Sequence, residues 1–469
     1  MTDESRPALE TVVPPRHVAV VGASSKGDGP GFLGGMKAMG FPGPIYPINP
    51  KATEIAGLPC YPSLLECPTD VDYVISSVPA RVVPELIEQA IQKRTKLIHL
   101  FTAGFSETGD AERAEMERRA IGRATANGIR VLGPNCMGLY MPRSHVSFMA
   151  DVPSEPGNVT MISQSGANAS EFTHKAMLRG IRFAGVFSYG NGADLRDAEI
   201  LEWAADDPAT EIVAMYIEGL RDGRAFFAAL KKAAAHKPVI ILKGGRTDAG
   251  GRAARSHTGS LAGSIQVFDA ACRQAGAIRV SGLDELVDLA VAFRFLGRPT
   301  GHRLAMILSG GGTSVLASDD LATAGLDTPP LDDAVRDELA KYIPVAGTSI
   351  HNPVDINMFT DNANLPAILA AVGHAANIDA LYFHASFNWN MPGDPEEKSD
   401  VLADRLRDAR EAIGKPCIVI AEPGRELHQV KSEMAFTELC WRRGFPVFPT
   451  PIRAANAYAK TLHWYADRE

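Results

Sequence analysis

The hydrophobic positions of the chain form short apolar runs that alternate with longer segments of helical period. The first series of runs is HVAVVGAS, PIYPINP, VDYVISSVP, KLIHLFTAG and IRVLGPN. Runs of this kind, rich in β-branched residues and joined by amphipathic segments, predict strands that are buried on both faces and connected by helices. The pattern therefore predicts an α/β protein built on parallel sheets.

Two further series follow the first. The segment MADVPSEPGN, which contains Pro and Gly, precedes the second series, VTMISQSG, RFAGVFSYGN, EIVAMYIEG and PVIILKGG. After RPTGHR a third series contains LAMILSGGG, DALYFHASF, PCIVIAEP and PVFPTP. We therefore predict three doubly wound domains, over residues 1–150, 151–299 and 300–469, each of ordinary domain size.

Composition narrows the classes of partner. The formal net charge of -8 gives no general attraction for nucleic acid or for an anionic membrane, so we expect neither as a partner. The 6 cysteines form no CxxC pair, which argues against a zinc ribbon and against a secreted disulfide framework. The N-terminus lacks an apolar signal segment, and no run of about 18 apolar residues occurs. We expect a cytoplasmic protein with no metal site of its own.

The ends of the first two predicted strands have the composition of a phosphate site. They carry small or polar residues: Gly22, Ala23, Ser24, Ser25, Asn49, Pro50 and Lys51. A glycine turn between a strand and a helix aims backbone N–H groups at a phosphate. An NAD site would have an acidic residue at the end of the second strand, whereas Lys51 suits a ligand with an extra phosphate. NADP and coenzyme A both meet that description.

The later strands of the first series also end in small or polar residues. These are Ser77, Val78, Pro79, Ala103, Gly104, Phe105 and Asn135. Each alone is compatible with ordinary turn chemistry. Because the carboxyl ends of parallel strands meet at one edge of a sheet, the set together predicts a ligand site there.

In the second series, the apolar run TMIS leads into Ser163, Gln164, Ser165 and Gly166, and a helical segment follows. Hydroxyl groups and free N–H groups at a helix N-terminus form an anion site. The alternative is a simple serine N-cap that binds no ligand.

His257 lies in the loop GGRTDAGGRAARSHTGSLAG, between small residues that allow another group to approach the ring. A neutral imidazole is a competent nucleophile towards an activated phosphoryl group when its other nitrogen is held by an acceptor. Glu218, at the end of AMYIEG, is the candidate acceptor. Its alternative role is that of a carboxylate in a turn.

These motifs together closely resemble those of one family. ISQSG, SYGNGAD, YIEGLRDG, PVIILKGGRTDAG, RAARSHTGSLAGS and QAGAIRV resemble the α subunit of NDP-forming acyl-CoA synthetases, the ADP-forming acetyl-CoA synthetase group related to succinyl-CoA synthetase. VAVVGAS, YPINPKA, PSLLECPTDVD, TAGFSE and GPNCMG are similar to its CoA-binding domain. SGGGTSVLASDDLATAGL and NPVDIN are similar to its third domain.

The resemblance implies a CoA-binding Rossmann-like domain followed by two flavodoxin-like domains, the first of which carries a phosphohistidine loop. It implies that His257 becomes phosphorylated and that Glu218 orients its ring. The residues implied to hold the phosphate or the substrate are Ser163, Gln164, Ser165, Gly166 and Asn191. For coenzyme A, the resemblance implies the strand-end residues named above together with Cys136 of GPNCMG.

In the implied reaction, ATP phosphorylates the histidine, the phosphoryl group passes to a carboxylate, and the CoA thiolate attacks the acyl phosphate. Many members of the family carry an ATP-grasp domain in the same chain, and nothing in this sequence resembles one. We therefore expect ATP or ADP, with Mg, on a separate ATP-grasp β subunit of an α2β2 heterotetramer. A second departure is Gly192, where the family more often has a lysine.

Three alternatives stay open beside this acid–thiol ligase. One is an ATP-independent acyl- or carbamoyl-transferase that uses CoA, and another is a CoA-binding regulatory module in which His257 is vestigial. An NADP-dependent oxidoreductase is compatible with Lys51, but no hydride-transfer site is recognisable. The combination of SHTG, Glu218 and SQSG favours chemistry over regulation, because a CoA sensor needs none of the three.

Overall fold

Strands and helices alternate through the residues that the computed structural model describes, which are 7–24, 31–252, 264–344, 346–356, 362–387 and 395–468. The strands are β1 (Val18–Val21), β2 (Ile45–Ile48), β3 (Glu54–Ile55), β4 (Leu58–Pro59), β5 (Tyr73–Ser76), β6 (Leu97–Leu100), β7 (Arg130–Leu132), β8 (Gly138–Tyr140), β9 (Val159–Ser163), β10 (Phe183–Ser188), β11 (Ile212–Ile217), β12 (Val239–Lys243), β13 (Ile278–Val280), β14 (Leu304–Leu308), β15 (Val354–Asp355), β16 (Ala380–Ser386), β17 (Cys417–Glu422) and β18 (Val447–Phe448).

The helices follow the predicted segments of helical period. They are α1 (Leu9–Val12), α2 (Phe32–Ala38), α3 (Val83–Gln92), α4 (Ala111–Ala126), α5 (Gly166–Met177), α6 (Asp197–Asp206), α7 (Gly223–Ala234), α8 (Ile265–Ala275), α9 (Leu283–Phe295), α10 (Gly311–Thr323), α11 (Asp333–Leu339), α12 (Leu365–Gly373), α13 (Pro395–Ile413), α14 (Leu427–Arg442) and α15 (Pro451–Ala466). The predicted α/β class is confirmed.

The first sheet consists of parallel strands in the order β2-β1-β5-β6-β7. Every residue of β1, β5 and β6 is buried, as their continuous apolar sequences require. Apolar residues of α3 and α4, among them Leu86 and Ile121, belong to the same core as Val74 and Ile98. All five strands end at one edge, where the predicted ligand residues follow them.

The second sheet has the order β13-β12-β11-β9-β10-β8, and β8 is its antiparallel member. This edge strand belongs to residues 1–150, so part of the predicted first domain pairs with the sheet of the second. A strand of three residues is too short to produce a recognisable hydrophobic pattern. The predicted domain boundaries stay a prediction.

Residues 131–135, at the end of β7, run beside residues 190–195 from the loop after β10. The N–H groups of Asn191, Ala193 and Leu195 donate to the carbonyls of Pro134, Gly133 and Val131, at 3.0, 3.0 and 3.1 Å. A Cβ on Gly190 would lie 2.3 Å from the Asn135 carbonyl oxygen, and its φ is +55°. Glycine is therefore required where these two segments meet.

A buried ion-pair network joins the same two segments. Arg130 Nε lies 3.0 Å from Asp194 Oδ2, and the two side chains are 2% and 1% exposed. The guanidinium also pairs with Glu199 at 2.5 Å. Asp194 Oδ2 accepts the Val131 N–H at 2.8 Å. The first and second sheets are thus held together by charge pairing as well as by backbone hydrogen bonds.

The third sheet is parallel, in the order β15-β14-β16-β17-β18. Two compact units divide the chain: residues 1–177 with 182–286, and residues 178–181 with 287–469. The first unit holds the first and second sheets, and the second unit holds the third. Among the described residues, none of the helices has the length and apolar character needed to cross a bilayer.

Replacement of Arg130 by methionine is expected to destabilise the protein by about 3–5 kcal/mol, because it leaves the Asp194 carboxylate buried without its counter-charge. The matched control is Arg123→Met, which removes an ion pair to Glu88 whose side chains are 54% and 51% exposed. That change should cost less than about 1 kcal/mol. Urea unfolding measures both, and equal losses would contradict a special role for the Arg130 network.

Candidate active site

The turn after β1 brings the backbone close to the turn after β5. Gly22 has a φ of +91°, and a Cβ on it would lie 2.9 Å from Ser77 Oγ. The Ser77 N–H and hydroxyl both donate to the Val21 carbonyl, at 2.9 and 3.2 Å. Only glycine satisfies both the conformation and the contact, so the predicted turn has a steric basis. Ser25 lies outside the described residues.

Asn49 fastens the end of β2 to the turn after β1. Its Nδ2 donates to the Ala23 carbonyl at 2.7 Å, and its Oδ1 accepts the Lys51 N–H at 2.9 Å. Ala23 and Ser24 are buried or half-buried, whereas Pro50 and Lys51 are exposed. The Lys51 ammonium is therefore accessible to a phosphate at the carboxyl edge of the first sheet.

Val78 and Pro79 follow Ser77 at the same edge, with Val78 half-buried and Pro79 exposed. After β6, Ala103 is exposed while the Phe105 ring lies in the core. The residues predicted to bind a ligand at this edge therefore differ in how far their side chains are exposed to solvent. Exposed or half-buried members can meet a ligand directly, whereas Phe105 contributes its backbone.

Glu107 holds the turn after β6 and was not identified from the sequence. Its Oε1 accepts the N–H groups of Gly104 and Phe105, and its Oε2 accepts Asn191 Nδ2 at 2.7 Å. Burial alone would raise the pKa of Glu107, but these hydrogen bonds outweigh it and lower the pKa. An ionised carboxylate thus connects the first sheet to the predicted substrate residue Asn191.

The turn GPNCMG presents Asn135 but buries Cys136. Asn135 is half-buried, and its Nδ2 lies 3.5 Å from Asn191 Oδ1. Cys136 is 3% exposed, and its thiol donates to the Leu100 carbonyl at 3.7 Å. Burial raises the pKa of this thiol. The Cys136 side chain therefore faces the core, so that only its backbone lies on the ligand side.

The N-terminus of α5 has the features of the predicted anion site. The Ser165 hydroxyl accepts the Asn168 N–H at 3.3 Å, and the Ser163 hydroxyl donates to the Ser165 carbonyl at 2.6 Å. Within the described parts of the chain, no group accepts a hydrogen bond from the N–H of Gly166 or Ala167. These two N–H groups and the helix dipole can bind an anion.

Gly166 also allows the two sheets' turns to meet. A Cβ on Gly166 would lie 2.3 Å from Met137 Cγ, and the Met137 N–H donates to Ser188 Oγ at 3.0 Å. The GPNCMG turn therefore abuts the start of α5. This contact brings the ligand edge of the first sheet beside the anion site of the second.

Glu218 directly follows β11 and lies beside this anion site. Gln164 Oε1 accepts the N–H groups of Glu218 and Gly219, at 2.8 and 3.0 Å. Tyr216 donates its hydroxyl to Glu218 Oε1 at 3.2 Å. Glu218 is 5% exposed, and its Oε2 has no hydrogen-bond partner among the described residues. A buried carboxylate oxygen of this kind calls for a donor.

The Lys243 ammonium and the Tyr189 hydroxyl are two further polar groups near Glu218. Lys243 Nζ donates to the carbonyls of Glu218 and Gly244, both at 2.5 Å, and burial lowers the pKa of this lysine. The Tyr189 hydroxyl is buried without a partner in the described structure, like Glu218 Oε2. Burial, with the charges of Asp197 and Glu218, raises the pKa of Tyr189. The site thus contains one carboxylate oxygen and one phenol hydroxyl that make no hydrogen bond to the described residues.

His257 lies outside the described residues, as do all residues of 253–263. The chain reaches this segment from Lys243 and Gly244, which adjoin Glu218. The structure brings Glu218 together with Gln164, and Asn191 together with Asn135. Sequence reasoning missed Glu107, Tyr216 and Lys243, although a tyrosine two residues before a candidate glutamate in a strand shares its face.

Two family models match the regions just described. A CoA binding domain matches residues 16–142, and a succinyl-CoA ligase like flavodoxin domain matches residues 156–293. The fold and the site thus define a protein with a CoA-binding domain and a domain of the succinyl-CoA ligase type. The predicted fold class is confirmed.

Relatives that match nearly the whole chain narrow this class. Acetate–CoA ligase (ADP-forming) I subunit alpha of Pyrococcus furiosus is 34% identical, over 97% of this chain and 98% of its own. Acetate–CoA ligase (ADP-forming) II of Archaeoglobus fulgidus is 33% identical, over 99% of this chain and 68% of its own. The chain belongs to the family of ADP-forming acetate–CoA ligase α subunits.

A solved structure supports the same family assignment. Acetyl-coenzyme A synthetase 1 of Ca. Korarchaeum cryptofilum, in complex with phosphate and ADP, has a TM-score of 0.82 and 31% identity, covering 98% of this chain and 97% of that one. The predicted family and ligase class are confirmed. The name subunit alpha implies a partner subunit. The transferase, regulatory and NADP-dependent alternatives receive no support from these relatives.

The buried histidine beneath GPNCMG is expected to make stability depend on pH. His99 Nε2 is bonded to the Cys136 carbonyl at 3.0 Å, and burial lowers the pKa of His99 from 6.5 to about 4. Between these values the unfolded chain binds a proton that the folded chain does not. Stability from this residue is therefore present above pH 6.5 and lost towards pH 4, at about 1.4 kcal/mol per pH unit.

His99→Gln should flatten this decline in the free energy of unfolding, measured with urea between pH 4.5 and 7. His463→Gln, at an exposed position of α15, is the control and should leave the pH dependence unchanged. An equally steep acid decline in His99→Gln and in the unsubstituted protein would refute this assignment.

Proposed function

We propose that this chain forms acyl-CoA from a carboxylate, CoA and ATP, reversibly, together with a separate ATP-grasp β subunit. ATP transfers its γ-phosphoryl group to a nitrogen of His257 and leaves as ADP. A carboxylate oxygen then attacks the phosphorus and releases the imidazole, giving an acyl phosphate. Finally the deprotonated CoA thiol attacks the acyl carbon and expels inorganic phosphate.

Oε2 of Glu218, which has no partner in the described ranges of the chain, carries this proposal. It is a buried acceptor beside a helix N-terminus, at the point where the chain leaves β12 for the His257 loop. An imidazole N–H donated to Oε2 would satisfy it and leave the other ring nitrogen unprotonated for phosphoryl transfer. A carboxylate in a simple turn would have no reason to keep one oxygen buried and unbonded.

The N-terminus of α5 supplies partial positive charge for the phosphoryl group. The N–H groups of Gly166 and Ala167 and the helix dipole favour a phosphoryl group near the ring that Glu218 orients. Asn191 would supply an amide group for the carboxylate substrate, on the side of the GPNCMG turn. The phosphoryl group and the carboxylate that accepts it would thus be bound on either side of the contact between GPNCMG and the start of α5.

At the first sheet, we assign coenzyme A to the edge formed by Gly22, Asn49, Lys51 and Ser77. The accessible Lys51 ammonium suits the 3′-phosphate, and the N–H groups after Gly22 suit the pyrophosphate. The thiol end would then extend towards Asn135, next to the anion site, because GPNCMG contacts the start of α5. This geometry allows the thiolate to reach an acyl phosphate formed there.

The ATP half of the reaction is assigned to the second polypeptide, which would hold Mg and the nucleotide. The chain spans 98% of a relative named subunit alpha, and that name implies a partner subunit. His257 would carry the phosphoryl group between the two sites on its glycine-containing loop. We propose an α2β2 assembly.

Incubation of the αβ complex with γ-³²P-ATP should label this chain, with a bond that is acid-labile and base-stable. His257→Ala should abolish the label, because it removes the ring nitrogen that we propose as the phosphoryl acceptor. His236→Ala, on the turn after α7, is the control and should be labelled normally. An active complex whose chain takes up no label would refute the proposed mechanism.

Lys51→Glu should weaken the binding of coenzyme A about tenfold or more, because a charge-assisted hydrogen bond to phosphate is replaced by repulsion. Dephospho-CoA, which lacks the 3′-phosphate, should bind the variant and the unsubstituted protein alike. Arg94→Glu is the control, since this exposed side chain precedes β6 at the opposite edge of the sheet. Isothermal calorimetry measures these affinities, and an unchanged Kd for CoA would exclude Lys51 from the site.

A further inference from the structure

The carboxylate of Glu218 is bonded unequally at its two oxygens. Oε1 accepts the Tyr216 hydroxyl at 3.2 Å, whereas Oε2 has no partner among the described residues. Tyr216 lies on β11 two positions before Glu218, so both side chains leave the strand on the same face. The tyrosine thus reaches Glu218 through strand geometry, without help from a distant element.

Gly244 provides the space in which this pair fits. It follows β12 directly, and its N–H donates to the Ile217 carbonyl at 2.8 Å, so it lies beside Glu218 in the sheet. A Cβ on Gly244 would lie 2.7 Å from the Tyr216 hydroxyl oxygen and 3.4 Å from Glu218 Cγ. Any other residue here would displace the hydroxyl from the carboxylate.

The direction of the hydrogen bond is determined by the neighbours of Tyr216. Burial and the charge of Glu218 raise the pKa of Tyr216, so the phenol keeps its proton. The phenol therefore donates this proton to Glu218 Oε1.

We propose that Tyr216, seated by Gly244, is a positioning residue that reserves Oε2 of Glu218 for the imidazole of His257. This inference rests on the proposed function. The terminal torsion of a glutamate is broad and roughly two-fold, so without a second partner either oxygen can face the ring at a range of angles. With Oε1 occupied, the carboxylate has one orientation, in which Oε2 is left for the imidazole N–H that we propose as its donor.

This role predicts a specific kinetic signature. Phosphoryl transfer to and from His257 depends on the orientation of the ring, whereas the binding of CoA at the first sheet does not. Loss of the Tyr216 hydroxyl should therefore lower the rate of histidine phosphorylation and kcat, and leave KM for CoA unchanged. A purely structural role would instead lower the folded fraction or affect all kinetic parameters together.

The test uses the αβ complex and γ-³²P-ATP in single-turnover labelling, with Tyr216→Phe compared with the unsubstituted protein. The expected result is an approximately tenfold or greater loss in the labelling rate, the size expected for one hydrogen bond to a charged group. Tyr140→Phe is the matched control. It removes a hydrogen-bonded hydroxyl from another strand of the same sheet, bonded to the Pro153 carbonyl at 2.5 Å, and should label at the normal rate.

A second set of variants tests whether Gly244 provides the space for the Tyr216 hydroxyl. Gly244→Ala should slow labelling about as much as Tyr216→Phe, because its methyl group displaces the hydroxyl. In the double variant the two losses should be far from additive, since the group that the methyl displaces is already absent. Thermal unfolding of each variant shows whether the fold is retained.

The outcomes separate the two proposals. If the unsubstituted complex turns over but takes up no label, the phosphohistidine mechanism fails, and the role of Tyr216 fails with it. If the unsubstituted complex is labelled and Tyr216→Phe is labelled equally fast, only the role of Tyr216 is overturned. If the folded double variant shows additive losses in labelling rate, the role of Gly244 in accommodating the Tyr216 hydroxyl is overturned.

Discussion

The candidate site depends on the buried pairing of Arg130 with Asp194. The guanidinium and the carboxylate are almost completely removed from water, and the same carboxylate accepts a backbone N–H from the end of β7. A buried charge pair tolerates little displacement, because separation would leave both charges unsolvated. The loop after β10 is therefore held against the first sheet, and with it Asn191 is held beside Asn135 and Glu107.

This attachment explains how two independent sheet edges can serve one reaction. The edge of the first sheet has the small, polar turns to which we assign CoA, and that of the second has the helix N-terminus and the carboxylate that we propose for the phosphohistidine. The carboxyl ends of parallel strands lie at one edge of a sheet, where ligands bind. Contact between these edges of two sheets therefore places their candidate ligand sites side by side. The buried faces of both sheets provide a rigid base for groups that must be precisely oriented.

At Glu218, the neighbours determine what the carboxylate can do. Gln164 holds the backbone, Lys243 binds the carbonyl, and Tyr216 occupies one of the two side-chain oxygens. The remaining oxygen is buried and specific for a donor. A glutamate alone in a turn would be solvated and free to rotate, whereas these contacts hold the carboxylate in place, as the orienting role that we propose for it requires.

Sequence patterns were sufficient for the strands that are apolar throughout, such as VAVV and YVIS, because burial on both faces requires such runs. They also predicted Glu218 and the SQSG turn as site residues, and the structure brings the two together, while their chemical role stays a prediction. They did not reveal β8, whose three residues are too few for periodicity, nor that the Cys136 thiol turns to the core.

The sequence by itself determined the class of the fold, the family and the residue types available at each strand end, since these follow from local periodicity and ordered motifs. Only the tertiary structure decided that Glu107 reaches Asn191, that Arg130 pairs with Asp194, and that Tyr216 bonds one oxygen of Glu218. The other oxygen has no partner within the part of the chain that the structure describes. These are contacts between side chains from different strands and turns, or between side-chain atoms. Their geometry depends on sheet register and packing, which no local pattern encodes.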